Sequence, residues 1–304
     1  MRVAVTGSHG LIGSALVAKL RSEGAEVVPL VRGRAGSGEL SWNPVAGTVD
    51  ADGLAGVTAV VHLAGVGVGD HRWSTSHKEA VRSSRIDGTA TLARVLSTMA
   101  TPPAVWLSGS AVGYYGGRGD ENLTETSGLG TGFLADVCAR WEEATAPAQQ
   151  AGLRVVHLRS GVVLSAAGGA LKKQLPLFRL GLGARLGSGR QQLSWISRRD
   201  LLSAVAFLIG HDELSGAVNL TSPEPVTNAE FTVALGRALH RPAKLRVPAA
   251  ALRLAMGRQM TEEMLLVSQR AFPQRLVDAG FTFADPTLPE ALRTALADRD
   301  LHHA

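Results

Sequence analysis

The chain has 304 residues, 45% of them hydrophobic and 19% charged, which is enough to bury one large core or a core with an appended domain. Its net charge of +5 comes from 31 basic residues that are scattered rather than blocked, a pattern that disfavours a nucleic-acid partner and suits phosphorylated ligands. No apolar run reaches the roughly 18 residues of a membrane span, and the single cysteine, Cys138, leaves no intramolecular disulfide, so a cytoplasmic protein without a membrane partner is expected.

Arg2 to Val5 reads as a buried strand that begins at once, so no signal peptide is expected. Glycines 7, 10 and 13 follow, and Leu11, Ile12, Ala15, Leu16 and Leu20 then fall on one face at helical spacing. Strand, glycine turn and helix together suit a backbone that approaches a pyrophosphate and offers it the amides of a helix start. Gly7, Ser8, His9, Gly10, Leu11, Ile12 and Gly13 are therefore the expected cofactor contacts. A second strand, Glu26 to Val31, ends without the acidic side chain that would bond the ribose hydroxyls of NAD, and Arg32 and Arg34 stand there instead. A guanidinium pairs with the 2′-phosphate of NADP and stacks on adenine, so NADP(H) is the expected cofactor.

The stretch from Arg32 to the next strand, around Glu39 to Trp42, is too short for a helical crossover, and an irregular connection is expected. Val57 to Gly65, Ala104 to Ser108 and Arg154 to Arg159 read as further buried strands, whose continuous apolar runs belong to a parallel sheet covered on both faces. Arg72 and Trp73 precede a helix expected over 78–97; they read either as lining of a substrate mouth or as a helix-entry contact and a solvated charge. Past Leu164 the chain turns glycine-rich, with Lys172, Arg185 and Arg190 consistent with an anionic small-molecule substrate or with a solvated basic face. Asp200 reads as the cap of a helix over 201–209, and Thr227 to Glu230 as a capping box before Phe231 to Leu239. Residues 245–300 read as two or three amphipathic helices broken by prolines, and no metal site is expected.

Several motifs carry a family resemblance. Thr6-Gly7-x-x-Gly10-x-x-Gly13, His62-Leu63-Ala64-Gly65, Ser108-Gly109-Ser110 and Trp195 to Asp200 resemble the extended short-chain dehydrogenase/reductases. Ser84-Arg85, Val112-Gly113-Tyr114-Tyr115, Trp141-Glu142, Arg159-Ser160-Gly161 and Pro273-Gln274-Arg275 are similar to an atypical subgroup, the sugar-nucleotide epimerase-like "epimerase family" proteins with a C-terminal domain of unknown function. The resemblance implies that His62, Leu63, Ala64 and Gly65 pass beneath the cofactor, and that Arg159 and Gly161 belong to its site. Ser110 stands where ordinary members keep a catalytic serine or threonine. Ser108 reads equally as a cofactor-side hydroxyl or a satisfied strand end.

The family's tyrosine acid and its lysine are missing. Aligning the family glutamate with Glu142 puts Leu134 and Cys138 in their places, and neither supplies the proton or the ammonium. Tyr114 and Tyr115, the two tyrosines of the chain, are candidate surrogate donors or packing residues; Cys138 reads as inert core more readily than as a nucleophile. The resemblance implies a Rossmann-type α/β fold, doubly wound on a mostly parallel sheet, with a smaller C-terminal α+β substrate lobe. The NADP-binding domain is expected over 1–164 with 195–220 returning to it, and the substrate lobe over 165–194 and 221–304. The expected activity is that of an NADP-dependent oxidoreductase or epimerase-like enzyme on a small molecule; the alternative is a non-catalytic NADP(H)-binding sensor or partner-binding protein.

Overall fold

The computed structural model describes residues 1–297, so positions 298–304 of the expected substrate lobe lie outside the described residues. One sheet contains eight strands: β1 (Arg2–Thr6), β2 (Glu26–Arg32), β3 (Leu40–Asn43), β4 (Thr48–Val49), β5 (Ala59–His62), β6 (Val105–Ala111), β7 (Arg154–Ser160) and β8 (Gly216–Leu220). Their order is β8-β7-β6-β5-β1-β2-β3-β4. Strands β3, β2, β1, β5 and β6 run parallel, and β4 returns antiparallel on β3. The apolar runs are what a sheet covered on both faces needs: Val3, Ala4, Val5, Ala59, Val60 and Val61 are all fully buried. Chain order reverses between β1 and β5, which makes the carboxyl ends of those two strands the place where a Rossmann-type sheet takes its ligand.

Three helices matter for that place: α1 (Leu11–Ser22), α2 (Thr75–Thr98) and α3 (Phe133–Glu143). α2 starts three residues ahead of the expected position because the Ser74 hydroxyl accepts the His77 amide and caps it. The β2–β3 connection is irregular, as the short spacing requires, and β3 pairs parallel to β2 without an intervening helix.

The chain divides into two compact units. The first comprises Met1–Ser110, Asp136–Leu158 and Ala204–Val218; the second comprises Ala111–Ala135, Arg159–Ser203 and the chain from Asn219 onward. The second unit takes in four stretches that were expected in the dinucleotide-binding domain: residues 111–135, 159–164, 195–203 and 219–220. Residues 111–135 join the second unit because Asn122–Leu123 pairs with Arg270–Ala271 and Val112, Tyr115 and Leu123 pack with Ala271. Trp195–Ser197 joins it because that strand pairs with Val162–Leu164, and Trp195 packs with Phe231 and Leu292. Within the second unit the capping box at Thr227 and Glu230 forms as its sequence requires. Asp200 does not cap the helix Arg198–Gly210: the Ser197 hydroxyl accepts the Asp200 amide, while the Asp200 carboxylate accepts the amides of Ala284 and Asp285. A carboxylate that two backbone donors can reach is better satisfied there than at a helix end already served by serine.

Candidate dinucleotide site

The site begins at the carboxyl end of β1. Register aligns Leu30, Thr6, His62 and Ser108 across β2, β1, β5 and β6; β1 and β5 end at that level, whereas β2 continues to Arg32 and β6 to Ala111. After Thr6 the chain turns at Gly7, whose φ of +68° is a left-handed conformation that suits glycine. A Cβ on Gly7 would stand 2.8 Å from the Leu63 carbonyl carbon, and one on Gly13 would stand 2.1 Å from the Gly7 carbonyl oxygen. Both glycines are thus demanded by backbone-to-backbone contact. The Gly10 amide donates to the Gly7 carbonyl at 2.9 Å and α1 starts at Leu11 with no side-chain cap. Its first amides are left to an anion, which is the arrangement that binds pyrophosphate.

Thr6 and His62 hold the floor in place. The Thr6 hydroxyl accepts the amides of Leu63 and Ala64 at 3.1 and 3.3 Å, so its own proton goes to His62 Nδ1 at 2.7 Å. His62 is therefore neutral with its proton on Nε2, fully buried and edge-on to Trp42. Burial first, and the Arg85 charge second, lower its pKa from 6.5 to about 3. Of the four residues expected beneath the cofactor, Leu63, Ala64 and Gly65 line the groove, while the His62 ring supports it from below.

From α2, the Ser84 hydroxyl accepts the Val66 amide at 3.0 Å and Arg85 donates to the Val66 carbonyl at 2.9 Å. Arg85 also donates to the Val81 carbonyl and lies 5.0 Å above the Trp141 ring. A half-buried guanidinium thus clamps the segment that follows β5; desolvation lowers its pKa from the usual arginine value. Sequence reasoning placed Ser84 and Arg85 only in a family pattern and missed this role, which needs the distance between α2 and residue 66.

The resulting groove has a volume of about 1080 Å³. Its lining brings together Gly7, Ser8, His9 and Gly10 from the turn, Arg32 and Arg34 after β2, and Leu63 to Gly65 after β5. Arg32 and Arg34 are exposed, and neither forms an ion pair among the described residues. Glu39, which also lines the groove, is engaged by the Gly36 amide at 2.9 Å and lies 3.8 Å from His9 Nε2. Leu11 and Ile12 are half-buried on the first turn of α1 and do not line the groove; Gly13 is buried against Gly7.

Beyond β5, the next strand end is β6. Ser108 is fully buried there and its hydroxyl has no partner among the described residues. The Ser110 hydroxyl donates to Glu142 Oε1 at 2.6 Å. A Cβ on Gly109 would stand 2.6 Å from the Trp141 ring, so glycine lets α3 press this face onto β6. Behind Glu142, its Oε2 lies 3.7 Å from His157 Nδ1. Thr145 donates to the Glu142 carbonyl at 2.7 Å and so accepts from His157 Nε2 at 2.9 Å. Cys138 is buried on the same helix.

Tyr114, Tyr115, Arg159 and Gly161 fall in the second unit, whereas Arg72 and Trp73 belong to the first. Tyr115 is fully buried; its hydroxyl donates to Asn219 Oδ1 at 2.7 Å and accepts from Arg159 Nη1 at 3.1 Å. Burial raises its pKa, an effect that the Arg159 charge opposes. The Arg159 guanidinium stacks 3.5 Å above the Tyr114 ring. A Cβ on Gly161 would stand 2.7 Å from the Ser194 carbonyl oxygen. These residues therefore have structural partners of their own: two aromatic rings and a buried arginine anchor the turn after β6, and Gly161 permits close backbone packing. Trp73 donates from its indole to the Val68 carbonyl at 2.9 Å, a contact that anchors the entry to α2, and Arg72 is exposed.

A parallel sheet with a glycine turn at its switch point and an uncapped helix behind it defines a Rossmann-type dinucleotide-binding protein. The chain belongs to the NAD dependent epimerase/dehydratase family, whose pattern matches residues 3–220, and residues 247–295 match a domain of unknown function, DUF1731. It is 51% identical over 291 residues to the epimerase family protein Mb2239 of Mycobacterium bovis, covering 95% of this chain and 96% of that one. It is 36% identical over 300 residues to the human epimerase family protein SDR39U1, covering 98% of this chain and 100% of that one. The crystal structure of human SDR39U1 isoform 2 with NADPH superposes with a TM-score of 0.89 at 32% identity, over 98% of this chain and 100% of that one. MoeE5 in complex with UDP-glucose and NAD shares the fold, with a TM-score of 0.76 at 24% identity over 99% of this chain and 100% of that one. No helix of the described residues is long and apolar enough to cross a membrane.

Proposed function

We propose that the protein binds NADP(H) in this groove and acts as an oxidoreductase or epimerase-like enzyme on a small molecule. The observation that carries the cofactor choice is the pair Arg32 and Arg34, exposed on the groove wall at the end of β2 without an ion-pair partner among the described residues. The groove fits the group: Gly7 and Gly13 allow the close approach, the amides of α1 can receive the pyrophosphate, and the two arginines suit a 2′-phosphate. The NADPH-bound human relative supports the same choice. Two charge-assisted bonds of about 1.5–3 kcal/mol each allow a preference over NAD(H) of tenfold or more. A bound nicotinamide supplies hydride chemistry, and the protein's part is to orient it and to manage a proton.

A second reading, a non-catalytic NADP(H)-binding protein, is favoured by the engagement of Tyr115 with Asn219 and Arg159, which leaves one candidate substitute for the family's missing tyrosine occupied as an anchor. A screen of alcohols and carbonyl compounds that neither oxidises nor reduces tightly bound cofactor would favour that reading.

The cofactor assignment is tested by titrating NADPH and NADH into the native chain and into Arg32→Ala, following nicotinamide fluorescence. NADPH is expected to bind at least tenfold tighter than NADH, with most of the difference lost in the variant. Equal binding of the two by the native chain would remove the 2′-phosphate site, and no binding of either would remove the cofactor.

A further inference from the structure

The groove runs across the strand ends in the order β2, β1, β5, from Arg32 through the glycine turn to Leu63 and Gly65, and the next strand in that direction is β6. An extended dinucleotide with its adenosine at Arg32 therefore has its redox end beside the end of β6, where Ser110 lies. There the serine faces a carboxylate. The Ser110 hydroxyl donates to Glu142 Oε1 at 2.6 Å, a short charge-assisted bond, and both residues are largely buried.

The second oxygen of Glu142 faces an acceptor. Thr145 gives its proton to the Glu142 carbonyl, so it accepts the His157 Nε2 proton, which leaves Nδ1 of the neutral ring directed at Glu142 Oε2 across 3.7 Å. A carboxylate oxygen and an imidazole nitrogen that lie this close, each on a largely buried side chain, form a place for one proton. With the proton absent the pair carries one negative charge; with it present, on either side, the pair is neutral.

We propose that Ser110, Glu142 and His157 are the proton-handling unit of this protein, replacing the absent tyrosine and lysine. The inference rests on the NADP(H) reading above. Ser110 touches the ligand, and Glu142 and His157 act through it as positioning residues. Ser110 Oγ takes the proton of a ligand hydroxyl as its own proton passes to Glu142 Oε1. The ligand O–H bond and the serine O–H bond break, one new O–H bond forms at Ser110 and one at Glu142, and the negative charge moves from the carboxylate to the ligand oxygen. Run backwards, the same unit protonates a ligand oxygen. The substrate class this suits is an alcohol, or the carbonyl compound derived from it, at the carbon beside Ser110.

A negative charge next to the redox end distinguishes the two cofactor forms, because the oxidised nicotinamide is cationic and the reduced one is not. Its effect is visible in binding alone, without a substrate. The dissociation constants of NADP⁺ and NADPH would be measured for the full chain by calorimetry from about pH 8.5 to about pH 5.5, a span that includes the ordinary histidine range. The 2′-phosphate is common to both forms and cancels in the ratio. Among the groups facing the carboxylate are His157 on β7 and Ser110 on β6. The Arg85 guanidinium of α2 stands over neighbouring Trp141, and Cys138 lies one turn earlier on α3. The preference for NADP⁺ over NADPH is expected to weaken roughly tenfold as pH falls and the site takes up its proton. Glu142→Gln is expected to show that weakened preference at every pH, and Glu142→Asp to restore the dependence.

A ratio that stays flat with pH in the native chain overturns the proposal, and that series needs no substitution, so it decides even where Glu142→Gln does not fold. A dependence that persists unchanged in a folded Glu142→Gln variant also overturns it. Failure of both cofactor forms to bind overturns the NADP(H) reading itself, and this proposal with it.

Discussion

Histidine 62 shows how a single buried residue can set the acid limit of a cofactor site. Its ring accepts the Thr6 proton at Nδ1, and Thr6 in turn holds the amides of Leu63 and Ala64 that form the groove floor. Protonating Nδ1 would remove that bond and put a second cation in a buried region that already holds Arg85. Because the folded pKa, about 3, lies below the ordinary value of 6.5, the unfolded chain binds the extra proton first as pH falls. Stability from this residue is complete above about pH 6.5 and is lost progressively as pH falls toward 3. At pH 4.5 the expected loss is about 2–3 kcal/mol. Thermal or urea unfolding of the native chain and of His62→Gln at neutral and acid pH would check it. The native chain should lose more stability on acidification by about that amount; equal losses would show that His62 stays protonatable in the folded state.

At the scale of elements, the strand–turn–helix unit of β1 and α1 was the most legible part of the sequence, and the reason is steric. A turn that brings the backbone of residue 13 against that of residue 7 leaves no room for any side chain, so the constraint is written directly as glycine. Gly13→Ala tests this: the added methyl would fall 2.1 Å from the Gly7 oxygen, and α1 would have to move away from β1. The expected cost is about 1–3 kcal/mol in stability together with loss of NADPH binding, both read from melting curves taken with and without the cofactor. Unchanged binding would mean that the turn does not position the pyrophosphate. The buried strands were equally plain from their apolar runs. Less legible were the contacts made by polar residues whose partners lie far along the chain. Asp200 carries the composition of a helix cap, yet its oxygens are claimed by amides 84 and 85 residues later. His62 stands in a motif that implies cofactor contact, and only the approach of Thr6 and Trp42 turns its ring inward. Tyr115 and Arg159 each look chemically available in sequence, and each is satisfied by the other. Glu142 was legible as a family position, whereas its pairing with Ser110 depends on how closely Gly109 lets α3 approach β6.

At the scale of the molecule, neither compact unit is a continuous piece of chain, since the first is assembled from three segments and the second from three others. The groove residues all belong to the first segment of the first unit, but the chain passes through the second unit twice before that unit is completed at Val218. The family-wide pattern at 247–295 is therefore no detachable appendage. Its last helix, Leu288–Ala297, places Leu288, Ala291, Leu292 and Ala295 in one core with Trp195, Phe231 and Leu235. Leu292 is fully buried in that core, so Leu292→Ala should cost about 2–5 kcal/mol, the sum of lost transfer energy and the cavity left behind. Truncation before Val247 removes all four of these apolar residues along with the Arg270–Ala271 strand that pairs with Asn122–Leu123, and the second unit should then fail to fold. Tryptophan fluorescence and limited proteolysis would report the outcome, because Trp195 loses four of the side chains in the cluster that buries it. A truncated chain that keeps a buried Trp195 and resists protease would show that residues 159–246 hold a core of their own; exposure of Trp195, with a protease-sensitive second unit, is the outcome that this packing requires.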